Sequence, residues 1–135
     1  YDCIIVEGES RRIGNVEIPD FLFKAMKRGV NVLVKKDFEK RVEEGVKEYF
    51  SSPGKIKQMK EITPQLREII SKKQKEEIMT LIEAGNYAEA TRIILKEYYD
   101  VLYAHTLKHV AFSSEISNND LEEAKKNLEK IKEKK

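Results

Sequence analysis

The chain has 135 residues, 37% of them charged, yet its formal net charge is only +2; it holds one cysteine and no tryptophan. That length suits one compact domain, or a small domain with an appendage, with room for a core that needs no disulfides. No apolar stretch approaches the roughly 18 residues of a membrane span, no signal peptide is visible, and a lone cysteine cannot bridge internally, so a reducing, cytoplasmic setting is expected.

In chain order, Asp2–Glu7 is predicted as a buried strand on its apolar run Cys3-Ile4-Ile5-Val6. Cys3 reads as a structural thiol of that strand. The chain starts on Tyr1, not Met, and opens almost directly into the strand, so natural sequence upstream is expected. The strand releases Glu7-Gly8-Glu9-Ser10-Arg11-Arg12-Ile13-Gly14. In open α/β sheets, ligands collect beyond the carboxyl ends of the strands. Acids there hold a metal or a water, and arginines there hold phosphate. The alternative is a charged turn after an edge strand.

Pro19 and Asp20 open a short helix, Phe21–Lys27, with Asp20 as N-cap and Gly29 as its end. Val30–Val34 is a second β-branched apolar run and reads as another buried strand. Strand, helix, strand is a βαβ unit, which implies a parallel pair in a right-handed crossover. Two parallel strands are not stable alone, so further strands are expected from upstream sequence or from a partner.

Asp37 caps the next helix, whose buried stripe is Phe38, Val42, Val46 and Tyr49. Ser51-Ser52-Pro53-Gly54 breaks it and marks the expected domain boundary, with residues 1–52 as the α/β part and 53–135 as a helical module. Thr63-Pro64 reads as a cap with proline at the first helical position. Ser71-Lys72-Lys73-Gln74 is a capping box for a helix with Ile78, Leu81 and Ile82 on one face, stopped by Gly85. Asn86 and Glu89 start the longest helix, running to about His109. Its two apolar stripes predict burial on two sides. Ser113–Asp120 reads as a polar loop, and Asn119–Lys135 as a last amphipathic helix.

Several constellations could carry chemistry. No G-x-x-x-x-G-K-[ST] phosphate loop is present. The strand before Glu7 nevertheless has the pattern that delivers a Walker B acid. Arg41 stands among Lys35, Lys36 and Lys40, which would suit a lid that clamps phosphate, or else a solvated basic face. His105 and His109 are four apart, but no third ligand is evident and no metal site is assigned. Tyr98-Tyr99-Asp100 with Tyr103 puts three phenols and an acid within six residues of one helix. Phenols stack on bases or line apolar channels, or sit at the rim of a doubly packed helix.

Taken together, these segments resemble the P-loop domain of tRNA 2-selenouridine synthase. The resemblance rests on Val6-Glu7-Gly8-Glu9-Ser10-Arg11-Arg12-Ile13-Gly14, on Ile18-Pro19 with Leu22 and Met26, on Val32-Leu33-Val34, on Arg41-Val42 and Glu48-Tyr49, and on Leu95, Tyr98-Tyr99-Asp100 and Leu102-Tyr103. Val101 departs from it, since the family usually has proline after Tyr-Tyr-Asp. The Walker A loop and the rhodanese-like domain with the family's catalytic cysteine have no counterpart in these residues, and Cys3 does not match that cysteine. The resemblance implies the carboxyl-terminal part of a P-loop subunit, split from its rhodanese-like partner as in archaeal-type versions.

The implied activity is a transferase reaction on tRNA. Geranyl diphosphate prenylates the sulfur of wobble 2-thiouridine, and selenium from selenophosphate then replaces the S-geranyl group. Alkylation turns a poor leaving group into a good one. The implied substrates are tRNA, geranyl diphosphate and selenophosphate, with Mg as a candidate ion. The expected fold is α/β, a partial parallel sheet of a P-loop NTPase-like domain followed by a mainly helical module. The expected substrate- and phosphate-binding residues are Glu7, Glu9, Ser10, Arg11, Arg12, Gly14, Arg41, Tyr99, Asp100 and Tyr103, with no catalytic residue assigned. Tyr98 is expected in the core, while Tyr99 and Tyr103 should face the strand-end site and line a prenyl or nucleobase pocket. The chain by itself is expected to be inactive. Alternative readings are a nucleotide kinase or NTPase-like domain, and a non-catalytic helical module that binds a partner protein.

Overall fold

The computed structural model describes residues 3–8 and 10–134; Tyr1, Asp2, Glu9 and Lys135 lie outside the described residues. The fold is mixed α/β, with small sheets that include a parallel pair and a mainly helical module. The chain forms two compact units. One holds the described residues up to Lys36 together with those from Thr106 onward, and the other is Asp37–His105.

The helical unit begins with α2 (Phe38–Tyr49), which has Asp37 at its N-cap position. After the break at Phe50 come α3 (Pro53–Ile62), a 3₁₀ turn (Thr63–Gln65), α4 (Lys72–Glu83), α5 (Tyr87–Ile93), a π-helical segment (Ile94–Tyr99) and α6 (Asp100–Leu107), the last continuing past His105. Ser52 caps α3 by accepting from Lys55 N–H, with Pro53 at the first helical position. Ser51–Gly54 thus breaks the chain as expected, and the helices on both sides of it lie in this unit. At α4 the capping box forms in full: Gln74 N–H donates to Ser71 Oγ at 3.2 Å, and Ser71 N–H donates to Gln74 Oε1 at 2.9 Å. Gly85 ends α4 at φ +74°, a conformation that any Cβ would strain.

The core of this unit is Phe50, Ile70, Ile78, Ile82, Ala90 and Ile94. Phe50 stacks on Tyr87 with centroids 4.7 Å apart. Helices α2 and α5 approach closely at Gly45, where an added Cβ would lie 2.7 Å from Thr91 Cγ2. Thr91 is fully buried, and its hydroxyl donates to the Tyr87 carbonyl at 2.7 Å. Outside the core, Arg92 donates to both carboxylate oxygens of Glu39, at 3.2 and 2.8 Å. That hydrogen bond holds the Glu39 carboxyl below its usual range.

The other unit contains β1 (Arg12–Ile13), β2 (Val16–Glu17), α1 (Asp20–Arg28), β3 (Val32–Lys35), β4 (Ser114–Ser117) and α7 (Leu121–Glu133). Strands β1 and β2 form an antiparallel hairpin, and β3 pairs in parallel with β4, Val32 opposite Ser114 and Val34 opposite Ile116. Lys35 and Glu115 add an ion pair across that ladder at 2.6 Å. Asp120 caps α7 by accepting from Glu123 N–H at 2.8 Å.

Five expectations need correction. First, Cys3–Glu7 forms no strand, and Ile4, Ile5 and Val6 are 80%, 71% and 53% exposed; Asp2 lies outside the described residues. An apolar run of this kind needs a pairing strand and layers on both faces, and the described residues offer it neither. The parallel partner of β3 is therefore β4 rather than the first segment. Second, β4 falls within the expected loop 113–120. Its sequence Ser-Glu-Ile-Ser buries only Ile116, an edge-strand pattern that polarity disguises. Third, Pro19 rather than Asp20 occupies the cap of α1, and Asp20 is its first helical residue. Fourth, burial of the long helix stops short of its end: Ala90, Ile94 and Leu95 are buried, but α6 has no buried residue, and Val101 and Tyr103 are exposed. Thr63-Pro64 also opens only a single 3₁₀ turn, and Thr63 turns inward to donate to the Met59 carbonyl at 2.7 Å.

Candidate functional site

The acid–arginine block is shaped by a hairpin. Ile13 faces Val16 across the two-residue turn Gly14-Asn15, and Gly14 sits at φ +59°. Glycine with positive φ at the first turn position matches the twist of tight hairpins. The turn folds the strand after Gly14 back beside Arg11 and Arg12. Arg11 Nε pairs with Glu17 at 2.8 Å, its Nη2 pairs with Asp20, and its guanidinium lies 6.0 Å from the Phe23 ring centroid. Arg12 Nε donates to the Gly14 carbonyl at 3.2 Å, and Ser10 Oγ donates to the Arg12 carbonyl at 2.6 Å. Arg11 and Arg12 therefore sit on a defined hairpin with their charges at the surface. Glu7 is exposed, and Glu9 lies outside the described residues.

Sequence reasoning missed the two acids that hold Arg11. Glu17 was not singled out, and Asp20 was read only as a cap. Gly14-Asn15 between Ile13 and Val16 is a turn signal that could have shown that Glu17 returns beside Arg11. These ion pairs are solvent-exposed and so contribute little to stability, about 0–1 kcal/mol each. A phosphate could take the place of either carboxylate at small cost.

In the helical unit, two expected site residues meet. Arg41, in the first turns of α2, donates to both carboxylate oxygens of Asp100, the first residue of α6, at 3.2 and 2.6 Å. Both side chains are partly buried. The fork-to-carboxylate geometry is the strong, directional form of this ion pair.

Immediately before Asp100, Tyr99 ends the π segment and lines an open cavity of about 320 Å³. Met59, Ile62, Leu66 and Ile94 supply its apolar wall, Tyr49 and Tyr99 its phenols, and Glu48, Lys55 and Gln58 its polar edge. Burial is the main cause that pushes the Tyr49 phenol up to about 12, helped by Tyr99, by Glu48, by a hydrogen bond with Tyr99, and by Tyr103. Tyr49 is thus neutral at ordinary pH. Tyr98 meets Tyr99 edge-on at 5.4 Å, and both pack against the core. Tyr103 is 56% exposed and is not among the lining residues. Tyr49 was read from its periodicity as core, and no signal in that stripe marks it as facing a cavity.

Short π segments in otherwise α-helical runs are frequent at functional sites, because the extra residue re-aims the side chains that follow. This one ends in Tyr99 and runs into Asp100, the two neighbours that serve the cavity and the Arg41 fork. Among the described residues, no three His, Cys, Asp or Glu side chains gather as a metal site. Cys3 is exposed. No described helix is long and apolar enough to cross a membrane.

Residues 1–61 match the family model of the tRNA 2-selenouridine synthase AAA domain. The match holds the acid–arginine block, Arg41, Glu48 and Tyr49, and it ends within α3. It covers a little under half of the chain, so Tyr99, Asp100 and Tyr103 lie beyond the synthase match. No curated protein and no solved structure matches the chain.

Proposed function

We propose that this chain is the P-loop component of a tRNA 2-selenouridine synthase, working with a rhodanese-like domain or subunit. The match of residues 1–61 to the family's AAA domain is the observation that carries the reading. In the proposed reaction, the sulfur of wobble 2-thiouridine attacks the first carbon of geranyl diphosphate and diphosphate leaves. Selenium delivered from selenophosphate then displaces the S-geranyl group. The protein is a transferase component, active on tRNA only when assembled, in the cytoplasm.

In this reading, this chain's own residues would take several parts. Arg11 and Arg12 would hold tRNA phosphate, with Ser10 and Gly14 shaping the loop and Glu7 or Glu9 orienting a water, an Mg ion or an arginine. Exposed arginines whose present partners are weakly held support this part. The cavity walled by Met59, Ile62, Leu66 and Ile94 would take the apolar chain. Its volume of about 320 Å³ lies at the lower end of small-molecule sites, about 300–1,000 Å³. The phenols of Tyr49 and Tyr99 would donate to the head of that ligand, and the Arg41–Asp100 fork would keep Tyr99 in place. Tyr103 is proposed as an outer contact.

Isothermal titration of the full chain and its Ile62→Arg variant with geranyl diphosphate, and with diphosphate alone, tests the pocket. The expected result is a loss of the prenyl contribution in the variant with diphosphate binding unchanged. Equal geranyl diphosphate binding by the two proteins would reject it.

A further inference from the structure

Charge is unevenly spread in the helical unit. Residues 55–75 carry seven basic side chains and two acids, whereas the remainder of Asp37–His105 carries five basic and eleven acidic residues. The basic stretch comprises α3, the 3₁₀ turn and the first turn of α4, and these pieces pack on one another. Lys55, Lys57, Arg67, Lys72 and Lys73 are all exposed.

Their own protein neutralises them poorly. Lys57 and Glu61 are 4.0 Å apart, and Lys72 and Glu76 are 3.9 Å apart, the outer limit of an ion pair. Lys55, Arg67 and Lys73 form no ion pair among the described residues. Lys75 is the exception: its ammonium donates to the Pro64 and Leu66 carbonyls and fastens the turn to α4. This packed surface therefore carries a local excess of positive charge, opposite in sign to the rest of its unit. Such a surface attracts a polyanion, because each phosphate it neutralises releases counterions. Lys55 stands both in this patch and on the edge of the cavity.

We infer that α3, the 3₁₀ turn and the start of α4 form the surface that holds the phosphate backbone of tRNA, with its Lys55 end leading to the cavity. The inference rests on tRNA as the substrate and adds where the RNA lies. It involves residues mostly beyond the family match.

The test is titration of a fluorescent, unmodified tRNA transcript with the full chain at several salt concentrations. The Lys57→Gln/Lys72→Gln/Lys73→Gln variant is expected to bind at least tenfold more weakly. Its plot of log affinity against log salt should be shallower by about 2–3, near 0.7–0.9 per lost phosphate contact. The matched variant Lys126→Gln/Lys130→Gln/Lys132→Gln on α7 removes the same charge elsewhere and is expected to bind like wild type. Lys73→Gln alone, at an exposed and unpaired position, should still show a loss of about threefold. Equal losses in the two triple variants, or none in the first, would overturn the surface while leaving the tRNA reading intact. A wild-type chain that binds polyglutamate as tightly as tRNA would also overturn it in favour of an acidic protein partner. A wild-type chain that binds no tRNA would overturn both.

Discussion

Arg41 and Asp100 are 59 residues apart in sequence and meet as a two-pronged ion pair, with guanidinium nitrogens 2.6 and 3.2 Å from the carboxylate oxygens. The pair ties the start of α2 to the start of α6 and fixes the helix direction just after Tyr99. Arg41→Ala and Asp100→Ala are each expected to cost about 1–2 kcal/mol, and the double variant clearly less than the sum. Arg41→Lys should recover only part, because an ammonium cannot form the fork. Urea unfolding of the four proteins measures this; additive losses would show that the two side chains act separately.

The close approach of α2 to α5 gives a second expectation. Gly45→Ala places a Cβ 2.7 Å from Thr91 Cγ2 and should cost about 1–3 kcal/mol by overpacking. Thr91→Ser removes that methyl and keeps the hydroxyl bond to Tyr87. Combined with Gly45→Ala, it should restore part of the loss. Melting temperatures of the single and double variants decide it, and no rescue would place the strain elsewhere.

A third expectation concerns pH. The Tyr49 phenol titrates near 10 in an unfolded chain and at about 12 here, burial being the main cause. Below pH 10 both states are neutral and the stabilisation is complete. Between pH 10 and about 12 the unfolded state loses the proton first, so stability falls as pH rises. Tyr49→Phe should remove this part of the alkaline loss. Chemical unfolding at pH 8.5 and pH 11 compares the two proteins; an identical decline in both would remove Tyr49 as the cause.

Local signals were legible where local forces decide. Ser71 with Gln74, and Gly85, mark helix ends through their own backbone chemistry, and each stands where the sequence indicates. The parallel strand Val32–Lys35 was also readable, but its partner was not. Ser114–Ser117 is strand through pairing and one buried isoleucine, and neither leaves a strong pattern. Cys3–Val6 misled because apolar periodicity reports what a segment could bury, not whether layers are there to bury it. At the site, Arg41, Tyr99 and Asp100 were picked as residues, but the fork and the π segment that arrange them arise from packing between distant helices. Glu17 and Asp20 were missed as partners of Arg11 because the Gly14-Asn15 turn was not read as a hairpin.

The hairpin block gives a fourth expectation. Arg11 and Arg12 are exposed, so Arg11→Ala/Arg12→Ala should change stability by no more than about 1 kcal/mol. The same double variant should weaken binding of tRNA by about 1–3 kcal/mol per lost charged contact. A variant that melts several degrees lower while binding tRNA normally would make the block structural only.

The central claim is most directly tested by mass analysis of nucleosides from 2-thiouridine tRNA. The tRNA is incubated with the chain in its assembled enzyme, geranyl diphosphate and selenophosphate. The expected result is S-geranyl-2-thiouridine followed by 2-selenouridine, with both reduced at least tenfold by Arg11→Ala/Arg12→Ala. Unmodified 2-thiouridine from the wild-type assembly, or equal product from the variant, would contradict the account.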